Sequence, residues 1–310
     1  MTRPASDPSL AAASASDLQS LLARASDALA RSDAAVLQGD LEAMHDQLAL
    51  ALDALSTLTA QGHRIRNDRP PPAAWDEEQV TQTIWLVLAQ LKRAGCSVFP
   101  FAGTLLGLER DGRLLPNDKD VDLAVWLEDF QLACRTLEAI GCLRATNSPP
   151  FGNIATFVLL QPRLSVDLFG LRREPENARL TGGAWLYGRP PSHQRITRYP
   201  WFELAARAGP AGEVWWPEPT DLLLTALYND WRTPQPEWDS LVSCAALQET
   251  NLSWRCWALK NLCDRWLTGD LLRTRGLLEQ ILARGGADPD LTRYRDCLDA
   301  SLQSAGAARR

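Results

Sequence analysis

The stretch DKDVDLAVW, residues 118 to 126, admits few folds. Val121, Leu123 and Val125 recur at every second position, the period of a β-strand with one buried face. Asp120 and Asp122 then share the opposite face. LSVDLFG, residues 164 to 170, repeats the arrangement, with Asp167 set against Leu164, Val166 and Leu168. If the two strands are neighbours, three carboxylates converge on one patch of a sheet.

Carboxylates crowded in this way raise one another's pKa values and weaken the fold unless cations lie between them. A pair of Mg²⁺ (or Mn²⁺) ions about 4 Å apart resolves the conflict, and such a pair can activate an attacking oxygen and orient a substrate's phosphates. Mg²⁺ suits the role because it takes oxygen ligands and binds through few carboxylates plus substrate phosphates. A calcium loop of EF-hand type is excluded, because it needs Gly at its sixth position and Glu at its twelfth, where Leu123 and Asp129 stand. A solvated turn ahead of an edge strand is the plainer alternative. The glycine turn upstream and Asp167 downstream argue against it.

That turn is Gly103-Thr104, between the short apolar strand CSVFPF and the run LLGLER. Glycine lets backbone N–H groups approach phosphate oxygens, and a helix N-terminus adds partial positive charge. Thr104 can offer a hydroxyl to a phosphate or cap the helix. Arg110 and Arg113 can bind a diphosphate or the leaving group, or instead pair with a nearby Asp.

Elsewhere the pattern is mainly helical. Leu18, Leu21, Leu22, Ala25 and Leu29, then Leu41, Met44, Leu48, Leu52 and Leu55, predict two helices over residues 17–61, with Gly39-Asp40 as turn and cap. NDRPPPAAW, residues 67–75, is a stiff linker. A helix capped by Asp76 runs to Gly95, another spans 128–140, and ATFVLLQ forms a strand. Residues 172–219 read as loops with short strands, 220–231 as a helix, and 238–302 as helical, where Gly269-Asp270-Leu271 echoes Gly39-Asp40-Leu41. The division is therefore an N-terminal helical hairpin (1–66), a proline-rich linker (67–75), a central core (76–239) and a C-terminal helical region (240–310).

Composition narrows the function classes. A net charge of −6 argues against a nucleic-acid surface. Seven cysteines without a C-x-x-C pair, beside three histidines, predict reduced, mostly buried thiols and no structural zinc. No transmembrane segment or signal peptide is expected, and the reading is a cytoplasmic protein. The aromatics between Trp185 and Trp238 are expected to pack in the core, and His193, in PPSHQRITR, to lie exposed in a loop.

GTLLGLERDGRLLPNDKDVDLAV resembles the signature of the LicD and fukutin-related group of polymerase-beta-like nucleotidyltransferases, G-T-L-L-G-x-x-R-x-G followed by P-x-D-x-D-x-D. WWPEPTDLLLTALYNDWRTPQPEWD, residues 215–239, resembles a second region of that group, and the likeness spans about residues 80 to 239. The sequence departs at Lys119, where the group carries an acid. The resemblance implies an α+β fold with a nucleotidyltransferase-type mixed β-sheet core and flanking helices, joined here by N- and C-terminal all-helical segments. It implies a metal-dependent transferase that moves a phosphocholine- or polyol-phosphate-like group from a nucleotide-diphosphate donor to a sugar or glycan acceptor. Asp120 and Asp122 take the place of the paired metal ligands and Asp167 that of the third carboxylate, which also accepts the acceptor's proton. Gly103 and Thr104 form the glycine turn, and Arg110 matches the group's arginine. The alternatives are nucleotidyl transfer of adenylyl type to a small molecule or protein, and a non-catalytic helical interaction protein built on the same scaffold.

Overall fold

The computed structural model describes residues 8–307 apart from 64–75, 116–117, 119, 147 and 236, with side chains from 18 to 305. The linker 67–75 and Lys119 lie outside the described residues. In chain order the elements begin with α1 (Pro8–Leu37), α2 (Leu41–Ala60), α3 (Glu77–Arg93), β1 (Val98–Pro100) and α4 (Ala102–Arg110). They continue with β2 (Asp120–Trp126), α5 (Phe130–Ala139), β3 (Leu143–Arg144), β4 (Ile154–Leu160) and β5 (Arg163–Glu174). Then come β6 (Arg179–Ala184), β7 (Arg195–Pro200), β8 (Glu203–Gly209), β9 (Gly212–Glu218) and α6 (Thr220–Tyr228). After the single turn α7 (Ser240–Ser243) follow α8 (Leu252–Leu267), α9 (Leu271–Gly285) and α10 (Pro289–Ala307).

These elements form two compact units, one of residues 1–70, 241–243 and 252–310, the other of 71–240 and 244–251. The terminal helical segments, which the sequence reading keeps apart, thus share one unit. Two of its helices, α2 and α9, start where a short acid caps them. Asp40 accepts from the Ala43 N–H at 3.0 Å, and Asp270 from the Arg273 N–H at 3.1 Å. Met44, Leu48, Leu52 and Leu55 are buried along one face of α2, and α2 packs on α8 and α10. Trp266 is fully buried there, its indole N–H donating to Thr59 Oγ1 at 2.9 Å.

The second unit holds a mixed sheet in the order β1-β2-β5-β4-β3, extended by β6 and β7 at the far end of β5. β2 and β5 are parallel, and every other pairing in the sheet is antiparallel. A parallel pair needs a crossover, and α5 lies within that crossover and packs on both strands. Val121, Leu123, Val125, Val166 and Leu168 lie buried on this side. At Gly170 a Cβ would stand 2.9 Å from Leu127 Cδ1 and 3.1 Å from Phe130 Cδ2, so glycine allows the chain entering α5 to settle on the sheet.

Residues 172–219 carry more strand than the sequence suggests, including the separate β8–β9 hairpin. Two readings need correction. Residues 244–251 are not helical; the Arg198 N–H donates to Ala246 O at 2.7 Å and the Gln248 N–H to Ile196 O at 3.1 Å, so the segment lies along β7. His193 is buried, not exposed, in a short 3-10 turn. All seven cysteines are free, and six are buried, as expected of reduced thiols.

Candidate active site

The site grows from the junction of β1, α4 and β2. The Phe101 N–H donates to Asp122 O at 3.0 Å. The Asp122 N–H donates to Thr104 Oγ1 at 2.9 Å, and the Gly103 N–H to Asp122 Oδ2 at 3.3 Å. Three bonds therefore fix one aspartate against the first turn of a helix, whose orphan N–H groups favour negative charge. Thr104 is completely buried. Its hydroxyl serves this junction. Ala102, just before Gly103, has φ 40°, a left-handed conformation costing an L-residue about 1–2 kcal/mol.

The parallel register sets Asp122 beside Asp167 and Asp120 beside Ser165, so the three carboxylates share one face. A fourth, Asp118, leans over the glycine turn. A Cβ on Gly103 would lie 3.1 Å from Asp118 Oδ2, so glycine at 103 permits this approach. On the far side of β5, β4 places Thr156 opposite Asp167, and Thr156 Oγ1 donates to Asp167 Oδ1 at 2.6 Å.

Crowding shows in the acidities. Burial, with the Asp120 charge behind it, pushes Asp118 up to about 6. Asp122 is raised well above the ordinary carboxylate range, first by burial and then by Asp120 and Asp167, against a smaller opposing effect of the Gly103 N–H. Asp167 is also raised by burial, partly countered by the Thr156 hydroxyl, with Asp120 adding to the rise. Tyr228, at the end of α6, is raised by burial and then by Asp122 and Asp118, which brings its phenol into the electrostatic reach of the acids.

The two arginines take other partners. Arg110 forks onto Asp111 at 2.9 and 3.0 Å and donates to Trp231 O at 3.4 Å. Arg113 pairs with Glu77 at 2.7 Å. Thus Gly103, Thr104, Asp120, Asp122 and Asp167 come together, while Arg110 pairs with Asp111, a nearby Asp as expected, and Arg113 with Glu77 instead of an Asp. Thr156 escapes sequence reasoning; its one signal is its place in the alternation of ATFVLLQ.

Among the described residues no three His, Cys, Asp or Glu side chains form a ready-made metal cage. The donor set still fits Mg²⁺, which binds through one or two carboxylates with water and substrate oxygens completing its shell. Among the described residues Asp118 Oδ2 is buried without a hydrogen-bond partner, and a buried carboxylate oxygen of this kind beside raised-pKa acids is a place where positive charge would be stabilising.

Residues 95–154 match the LicD/FKTN/FKRP nucleotidyltransferase domain. The matched segment carries Gly103, Thr104, Asp118, Asp120 and Asp122. Asp167 and Thr156 lie beyond it and reach the site through strand register. No curated protein matches the chain. Among solved structures, the chain is similar to the lincosamide antibiotic adenylyltransferase LnuA with lincomycin bound, at 11% identity and TM-score 0.33, covering 51% of this chain and 89% of that one. It is also similar to ANT(2″)-Ia in complex with adenylyl-2″-tobramycin, at 12% identity and TM-score 0.31, covering 61% and 94%. The fold class rests on the mixed sheet and the LicD match. No helix among the described residues is long and apolar enough to cross a membrane.

Proposed function

We propose that the sheet-containing unit is a metal-dependent transferase that moves a phosphate-linked group, of phosphocholine or polyol-phosphate type, from a nucleotide-diphosphate donor to a glycan-type acceptor. The observation that carries this reading is the β2–β5 register, which puts Asp122 beside Asp167 with Asp120 on the same face, in a chain whose LicD-type segment supplies two of the three acids. In this reading Asp120, Asp122 and Asp167 hold Mg²⁺. The bound ion supplies charge neutralisation and polarisation at the donor's phosphates. Asp167 receives the acceptor hydroxyl's proton on a carboxylate oxygen. The turn at Gly103 keeps Asp122 in place, and Arg110 and Arg113 retain their acid partners.

The test is release of cytidine monophosphate from CDP-choline or CDP-ribitol by the purified protein with Mg²⁺ and a sugar acceptor. Asp120→Ala and Asp122→Ala should each abolish release while leaving the urea midpoint of the metal-free protein no lower than the wild type's. Unchanged turnover in both variants refutes the site. Nucleotide transferred from a nucleoside triphosphate onto the acceptor, with no cleavage of the CDP conjugates, assigns the adenylyl-type chemistry instead.

A further inference from the structure

We propose that Thr156 is a positioning residue, which fixes the carboxylate of Asp167 so that one oxygen alone serves the site. This inference rests on the reading of Asp167 as a metal-holding carboxylate. Thr156 sits on β4 directly opposite Asp167, and its Oγ1 donates to Oδ1 at 2.6 Å. β5 runs between β4 and β2, so a carboxylate held by Oδ1 on the β4 side turns Oδ2 towards β2, where Asp120 and Asp122 stand.

Two features make this hydroxyl more than a strand-former's ornament. A β-branched side chain on a paired strand has few rotamers, so the donor direction is set by the sheet. The final torsion of an aspartate, by contrast, is broad, and the bond from Thr156 restrains it. Valine would serve the strand equally well. The strand itself therefore does not require the hydroxyl, whose bond is specific to the carboxylate.

The experiment compares wild type with Thr156→Val, Thr156→Ala, Thr156→Ser and Asp167→Asn, and the probe is Mn²⁺, alone and with CDP. Free Mn²⁺ is followed by electron paramagnetic resonance, and each variant's melting temperature is recorded in EDTA. Loss of an outer-shell partner typically weakens metal binding about 10–100-fold, and that is the loss expected for Thr156→Val and Thr156→Ala. Thr156→Ser should restore wild-type binding, because it keeps the hydroxyl and gives up only the methyl. The EDTA melting temperatures separate the cost to the metal-free fold of losing the Thr156–Asp167 bond from the loss of metal binding. If Thr156→Val does not fold, Thr156→Ala carries the same comparison. Wild-type binding in the hydroxyl-free variants, with binding lost in Asp167→Asn, overturns the positioning role and leaves the proposed function standing. Failure of Ser to restore binding overturns it as well. Absence of Mn²⁺ binding by the wild type, or full binding by Asp167→Asn, refutes the metal reading of the site and this inference with it.

Discussion

Replacing Asp118 by asparagine should make the metal-free protein more stable at neutral pH. The wild-type carboxyl is raised from the ordinary 3.8 to about 6, mainly by burial and then by Asp120. In the unfolded chain it returns to its ordinary value. Between these limits the folded state keeps a proton that the unfolded state has released, so stability falls as pH rises from about 4 to about 6 and the loss is complete above. A displacement of about two pH units corresponds to about 3 kcal/mol, and partial access to solvent reduces this to about 1–2 kcal/mol. The amide of Asp118→Asn occupies the same position beside Gly103, so the burial of an unpartnered polar atom is common to both proteins. The assay is urea unfolding in EDTA, followed by tryptophan fluorescence, at pH 4, 5, 6 and 7.5. The two proteins should coincide near pH 4, separate with the variant more stable up to pH 6, and remain separated by that amount at pH 7.5. An Asp118→Asn protein no more stable than wild type at pH 7.5, or an equal difference at every pH, refutes the reasoning.

Two further substitutions probe the junction beneath the acids. At Gly107 an added Cβ would lie 2.6 Å from Arg113 O and 2.9 Å from Leu115 N; backbone cannot rotate aside, so Gly107→Ala should cost about 1–3 kcal/mol in urea unfolding, and an unchanged midpoint would contradict the close approach of α4 to that segment. Thr104→Val removes the acceptor of the Asp122 N–H and should cost about 1–3 kcal/mol, with faster amide exchange at Asp122, and Thr104→Ser should recover most of both.

The acid face was legible because alternation on β2 and β5 is a local property: each strand's burial pattern is already written in DVDLAV and LSVDLF. What sequence cannot supply is which strands lie side by side. The pairing of Asp122 with Asp167 depends on the crossover through α5, and the bond from Thr156 depends on β4 taking the opposite edge of β5. Arg113 makes the same point, because Glu77, its partner, lies 36 residues away in the chain. At residues 244–251 local preference misleads. Ala, Leu, Gln and Glu are good helix formers, yet the free edge of β7 offers Ala246 and Gln248 backbone partners that a helix would forgo. His193 misleads for a related reason. Its proline-rich setting marks a turn, but Asn251, donating to Gln194 O at 2.9 Å, ties that turn to the returning chain.

The composite make-up of the helical unit has a consequence for biosynthesis. α1 and α2 leave the ribosome roughly 190 residues ahead of α8, the first of the later helices against which α2 packs. At about 5–20 residues per second, the apolar stripe of Met44, Leu48, Leu52 and Leu55 waits some 10–40 s for its cover, with the whole sheet made in the interval. The nascent chain therefore completes its sheet-containing unit while α1 and α2 are still without their late partners.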